Sequence, residues 1–291
     1  MGLILSIISA ILWAFFDVVR KKAVQENSEK SVIFIIIASQ IIFYSFLLFL
    51  SDLYIDINKY YLSGSALIVL NLISILLFLK VLKSGEISKY IPMLSFTPLF
   101  SALYSNLILD EQLIFSQYLG MLLIVLGSLL LHINRKINRT IVSKMHLTLM
   151  NKNLIMILLV SLIWSLTPVL DKECMKYTDL YLHGLLQAIG MLVVIPVLLI
   201  KKNTNIKLVN IKLNIKNISL SLIILSFLTS FMQLLALQYI FVAELESLKR
   251  SVGIILALLF GYYFFKETIN LKKIFSVLII VLGIINIINF T

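Results

Sequence analysis

A single cysteine, Cys174, stands in the 291 residues, so no disulfide can form within the chain. Charge is also scarce. Only 13% of the residues are charged, about half the share usual in a soluble domain. Acids are the scarcer sign, 14 against 25 Lys+Arg. The three histidines carry no metal-ligand spacing. Histidines and carboxylates also form no nucleophile–base constellation, which argues against an intramembrane enzyme acting on lipid. The excess of basic residues lies in short segments beside apolar runs, where it sets membrane topology and meets anionic headgroups rather than nucleic acid.

Apolar sequence fills the rest. Hydrophobic residues make up 60% of the chain and the mean hydropathy is +1.04. Runs of about twenty apolar residues recur from end to end, each long enough to cross a hydrocarbon core of roughly 30 Å as a helix. The first, GLILSIISAILWAFFDVV, lacks a basic leading region and a small-residue cleavage site, and reads as a retained span. The chain thus reads as an all-α, multi-pass integral membrane protein, with the cell membrane the expected location.

Ten spans are expected, at 3–19, 31–50, 62–80, 90–109, 117–133, 154–170, 181–200, 219–240, 243–265 and 271–289. Two longer connections, 132–153 and 201–217, are basic and partly amphipathic, and are expected to lie along the membrane surface. The sequence also repeats itself. A shift of 151 lays Trp13 on Trp164, Val18 on Val169 and Lys21 on Lys172. A shift of 156 lays IVLG at 124–127 on IVLG at 280–283, and Glu111 on Glu267. The expected domains are a first five-helix repeat over 1–133, a basic linker over 134–153 and a second repeat over 154–291. Five spans per half force the halves into opposite orientations, the inverted-repeat plan of secondary transporters. Odd-numbered loops hold 20 of the 25 Lys+Arg and even-numbered loops hold three, so the odd loops are expected to be cytoplasmic. The remaining two are Lys249 and Arg250, inside the ninth span.

The stretch IPMLSFTPLFSALYSNLILDEQLIFSQYLGMLLIVLGSLL (91–130) resembles the fourth and fifth helices of an EamA-type repeat of the drug/metabolite transporter superfamily: a proline-containing helix, an acidic residue at its end, then a Gly-spaced helix. SVGIILALLFGYYFFKETINLKKIFSVLIIVLGII (251–285) matches it in the second half, and SAILWAFFDVVRKK (9–22) and LVSLIWSLTPVLDK (159–172) resemble the two repeat-opening helices. The resemblance implies a ten-helix carrier that moves small solutes by alternating access without a cofactor. The Lys-Arg pair early in the ninth helix is similar to that of the plastid phosphate-translocator branch, which implies contact of Lys249 and Arg250 with a substrate anion.

Taken physically, Lys249 and Arg250 are either a substrate-anion site or a pair neutralised by Glu246, three and four residues earlier. Adjacent helical residues diverge by about 100°, so one glutamate is not expected to serve both equally. Arg offers a planar fork to a carboxylate or phosphate and Lys a point charge. Asp17, read as the only acidic residue inside a span, is either a proton-coupling carboxylate or a partner of Arg20 and Lys21. Trp13 and Trp164, at equivalent repeat positions, either line a central cavity or sit at the membrane interface. Asn71, Gln187 and Gln233 are candidates for the solute path, with inter-helix hydrogen bonds as the alternative. His183 reads as an interfacial or hydrogen-bonded histidine. Pro92, Pro98, Pro168 and Pro196 fall in spans, where each bends its helix.

The leading reading is a secondary transporter of a small organic solute carrying an anionic group. The alternative is a proton-coupled exporter of cationic or zwitterionic compounds using Asp17. A non-transporting assembly subunit is a further reading. Because one chain carries both halves, monomer and homodimer are both open.

Overall fold

The computed structural model describes residues 1–84, 91–132, 152–199, 220–265 and 271–288. Ten α-helices run through these residues: α1 Gly2–Glu26, α2 Glu29–Leu47, α3 Ile57–Ser84, α4 Thr97–Leu109, α5 Phe115–His132, α6 Lys152–Cys174, α7 Leu180–Leu199, α8 Leu220–Leu237, α9 Val242–Phe265 and α10 Leu271–Ile288. Among the described residues there is no strand, only an isolated antiparallel bridge between Ile55 and Thr178. Among the described residues six segments are, by length and composition, long and apolar enough to cross a membrane: Gly2–Glu26, Glu29–Leu50, Ile57–Lys83, Lys152–Cys174, Leu220–Leu237 and Leu271–Ile288. Large apolar side chains such as Leu107, Phe115 and Leu271 stand exposed on the outside, as lipid-facing residues do.

Local chemistry sets several helix ends. The Ser28 hydroxyl accepts from Ser31 N–H at 3.1 Å and caps α2. Asp179 caps α7, its carboxylate accepting from the N–H groups of Tyr181 and Leu182 at 2.9 and 3.1 Å. Asp110 ends α4 in the left-handed region, at φ 56° and ψ 27°, a conformation that Asp and Asn tolerate best after Gly. The fourth span, expected as one helix from residue 90, instead opens with 3-10 turns over Ile91–Phe96 before α4 begins. Pro98 explains the change: it lacks the N–H of an α-helical bond and its ring crowds the carbonyl four residues earlier. The expected surface connections fall largely on 133–151 and 200–219, outside the described residues, as does Glu267.

The two halves meet reciprocally. Helix α1 packs on α8 and α9, and its counterpart α6 packs on α3 and α4. The pairs α2·α7, α4·α9 and α5·α10 each join a helix to its own repeat equivalent. The closest approach is between α5 and α10. A Cβ on Gly120 would lie 2.6 Å from the Gly283 carbonyl oxygen, and one on Gly283 would lie 2.6 Å from that of Gly120. Under the shift of 156, Gly120 and Gly283 correspond to Ser276 and Gly127. Those two also touch, a Cβ on Gly127 lying 2.8 Å from the Ser276 carbonyl oxygen. Small residues allow this backbone contact, the usual route to tight helix pairing in lipid.

The even-numbered connections bind the halves at one end of the bundle. Beside the Ile55–Thr178 bridge, Asp56 N–H donates to the Tyr177 carbonyl and the Thr178 hydroxyl to that of Tyr54, both at 2.9 Å. Ser51 Oγ donates to Asp179 Oδ2 at 2.5 Å. Because Asp110 turns the chain, Glu111 points back inward. It meets Lys172 Nζ at 2.6 Å through Oε1, and Val242 N–H at 2.9 Å through Oε2. Lys172 Nζ also donates to the Ile240 carbonyl at 2.8 Å. Repeat symmetry recurs here: Lys21, the equivalent of Lys172, donates to the Leu82 carbonyl at 3.0 Å at the other end.

Candidate functional site

A cavity with about 1330 Å³ of empty space, part of it open solvent, lies between α1, α2 and α3 of the first half and α6, α7, α8 and α9 of the second. Neither α5 nor α10 lines it. All of the solute-site and proton-coupling candidates named from the sequence face it: Lys249 and Arg250, Trp13 and Trp164, Asn71, Gln187, Gln233 and Asp17.

Two tryptophans line it side by side. Their equivalent positions on α1 and α6 bring the rings together, with centroids 6.5 Å apart. Cations surround the pair. Lys249 Nζ lies 5.0 Å from the Trp13 ring, Arg250 Cζ 5.4 Å from the Trp164 ring, and Arg20 Cζ 5.2 and 5.7 Å from the two. Cation–π attraction falls within about 6 Å and strengthens when desolvated. Trp164 Nε1 donates to Ser74 Oγ at 3.0 Å. Trp13 Nε1 and Arg20 Nε, both buried, have no hydrogen-bond partner among the described residues, and buried polar atoms left in this way commonly mark a ligand or water position.

Each cation nevertheless has a carboxylate. Arg20 pairs with Asp17 three residues earlier. Glu246 reaches both neighbours, and unequally, as helical divergence predicts: Oε1 meets Lys249 Nζ at 2.5 Å and Oε2 meets Arg250 Nη2 at 3.2 Å. Residues at i+3 and i+4 straddle the glutamate, and a carboxylate has one oxygen for each side. The two contacts remain unequal in length. Lys249 also donates to Gln233 Oε1 at 2.6 Å, and Arg250 Nε to Thr97 Oγ1 at 2.7 Å. Pro168 lines the cavity on α6, and its missing N–H removes the helical donor of the Trp164 carbonyl.

Asp17 is not the only acid within a span. Asp171, Glu244 and Glu246 lie inside α6 and α9, and Glu111 two residues after α4. Apolar periodicity marks the middle of a helix and leaves its ends open by residues; α6 runs four residues past the expected 170, which brings Asp171 inside. Asp171 lines the cavity and receives His183 Nε2 at 3.0 Å. His183 Nδ1 lies 3.0 Å from the Tyr60 hydroxyl, which accepts from Gln187 Nε2 at 3.1 Å. Sequence reasoning passed over Arg20 and Asp171 as cavity residues, although they stand at equivalent repeat positions under the shift of 151. Among the described residues no group of three or more His, Cys, Asp or Glu could hold a metal ion.

A family model described as the EamA-like transporter family matches residues 1–133 and again 151–289. The chain belongs to that family. It is accordingly a multi-pass membrane transporter of small solutes. A solved structure titled only "Crystal structure of protein" is similar over 100% of this chain and 99% of its own, at a TM-score of 0.68 and 13% identity, which shows the shared fold. None of the curated proteins compared with the chain matches it. In this EamA-family chain, the cavity between the two matched segments is the candidate solute site.

Proposed function

We propose that this EamA-family protein moves a small organic solute with an anionic group by alternating access, and that the group is held beside the Trp13–Trp164 pair. One observation carries the reading: Arg20, Lys249 and Arg250 surround the tryptophans against two carboxylates, Asp17 and Glu246. Beside the rings the three cations outnumber these two carboxylates by one, while the cavity's third carboxylate, Asp171, is hydrogen-bonded to His183. One negative group of a solute therefore suits that place, in a medium where unpaired charge is costly. Arg20 Nε and Trp13 Nε1 supply N–H donors with no hydrogen-bond partner among the described residues. The rings offer a face to the apolar body of the solute.

The reading in which Asp17 couples export of cations to protons has less support, because Asp17 is engaged by Arg20. A zwitterionic solute is favoured by a different observation, Asp171 facing the same cavity.

A thermal-shift screen of purified protein against carboxylates, phosphate esters, zwitterions and cations tests the proposal. A ligand at a hundred times its Kd stabilises by about 2.7 kcal/mol. Carboxylates or phosphate esters are expected to raise Tm, and Arg250→Gln is expected to abolish the rise. Stabilisation by cations alone, or an anion effect untouched by Arg250→Gln and by Lys249→Gln, would overturn it.

A further inference from the structure

We infer that Asp171 and His183 form a proton-binding site, and that its protonation state controls a hydrogen bond joining the two halves of the transporter. The inference is independent of which solute is carried.

The groups form one chain across the repeats. Gln187 Nε2 donates to the Tyr60 oxygen at 3.1 Å and to the Gly64 carbonyl at 3.2 Å. The Tyr60 hydroxyl lies 3.0 Å from His183 Nδ1, and His183 Nε2 lies 3.0 Å from Asp171 Oδ1. Tyr60 belongs to α3 in the first half; Asp171, His183 and Gln187 belong to α6 and α7 in the second. His183 is fully buried, and Asp171 reaches the cavity with a side chain 12% exposed. A proton therefore enters through Asp171.

With His183 neutral and Asp171 ionised, donors and acceptors match along the chain. Nε2–H donates to the carboxylate, Nδ1 accepts from Tyr60 O–H, and the Tyr60 oxygen accepts from Gln187. An added proton that reaches the imidazole breaks the match. Held there, or passed with Nε2 left accepting from a carboxylic acid on Oδ1, it leaves Nδ1 carrying hydrogen. A proton kept on Oδ2 alone would leave the match intact, so control of the bond rests with the first two states. Two donors, Nδ1–H and Tyr60 O–H, then face each other across the α3–α7 boundary. Tyr60 must turn its hydrogen away, and the bond across the halves either reverses or parts. Gln187 Oε1, buried and without a hydrogen-bond partner among the described residues, is the acceptor placed nearest in sequence to receive a rearranged donor. The bond lies beside the Ile55–Thr178 bridge and the Ser51–Asp179 contact, which join the same helices at their ends. A mismatch here loosens that end of the bundle.

The titratable groups around the pair come from four helices. They are Tyr44 on α2, Tyr60 on α3, Glu173 and Cys174 on α6, and Lys249 on α9, each electrostatically linked to Asp171 or to one of its neighbours. Lys249 is the cation among them. It belongs to the solute cluster, so the proton site and the solute site sense each other through charge.

Two measurements without solute test the inference. With only three histidines in the chain, ¹⁵N-imidazole spectra in nanodiscs can be assigned, His183 being the signal lost in His183→Gln. The His183 signal is expected to report protonation of the pair as pH falls, with a midpoint that moves in Asp171→Asn. A His183 signal that does not titrate, or a midpoint unmoved by Asp171→Asn, overturns the proton site. For the second, spin labels on Asp52→Cys and Lys176→Cys, in a Cys174→Ala background, report the separation of the halves. The distance is expected to lengthen as pH falls through that midpoint, and to stay fixed in Tyr60→Phe. A wild-type distance constant across the titration overturns control of the contact. Neither result turns on the solute screen, so the two readings fail separately.

Discussion

At Glu246 one carboxylate holds two cations while 1% exposed, and its removal strands both. Breaking a buried ion pair from one side costs about 3–5 kcal/mol. Glu246→Gln is therefore expected to destabilise by that order in chemical unfolding. Lys249→Met in the same chain is expected to recover part of the loss, with an interaction energy above about 1 kcal/mol in the double-mutant cycle. Additive losses would mean that the contacts in the cavity wall carry little energy. The residues that sequence could nominate were those whose type clashes with lipid: a Lys-Arg pair in an apolar run, an Asp near Arg, amides among leucines. Asp171 and Arg20 escaped because each lies where a span could as well have ended, and only three-dimensional packing turns them inward. Glu246 was legible as the alternative partner of both cations, but not which oxygen would serve which, since a helical wheel shows directions and not the reach of two oxygens.

Among the helices, the middles were legible and the ends were not. Twenty-residue apolar runs located all ten, but α3 begins five residues before the expected 62 and α4 starts only after Phe96. Those ends follow from single residues, Pro98 and Asp110 among them, whose effect is local and leaves no period. The repeated IVLG was read only as a mark of the internal repeat, and its glycines, Gly127 and Gly283, stand at the α5–α10 contact. Gly283→Ala puts a methyl group 2.6 Å from the Gly120 carbonyl oxygen. Neither backbone can yield without parting the helices. A loss of 1–3 kcal/mol, typical of overpacking, is expected, seen as a lowered Tm in detergent. Ala at Gly253, whose Cβ would meet nothing within 4 Å, is the matched control and is expected to leave Tm unchanged.

For the whole molecule, the reciprocal halves and the alternating access proposed above make one demand: one end must part while the other closes. The Ile55–Thr178 bridge sets two backbones side by side across the halves, so Ile55→Cys with Thr178→Cys, in a Cys174→Ala background, is expected to form a disulfide. Oxidation is expected to stop uptake into proteoliposomes of a solute found in the screen, and reduction to restore it. Continued uptake by the oxidised protein would place the moving boundary elsewhere. A matching cysteine pair across α5 and α10 is expected to leave uptake intact. Those two helices line no part of the cavity, and the glycine contacts set backbone against backbone, where sliding by a turn would drive a side chain into a carbonyl. In the proposed cycle they are therefore expected to act as an axle. The remaining eight helices are then expected to swing about a shaft built from the last helix of each half, and a substitution on it to alter how freely the machine turns without altering what it carries.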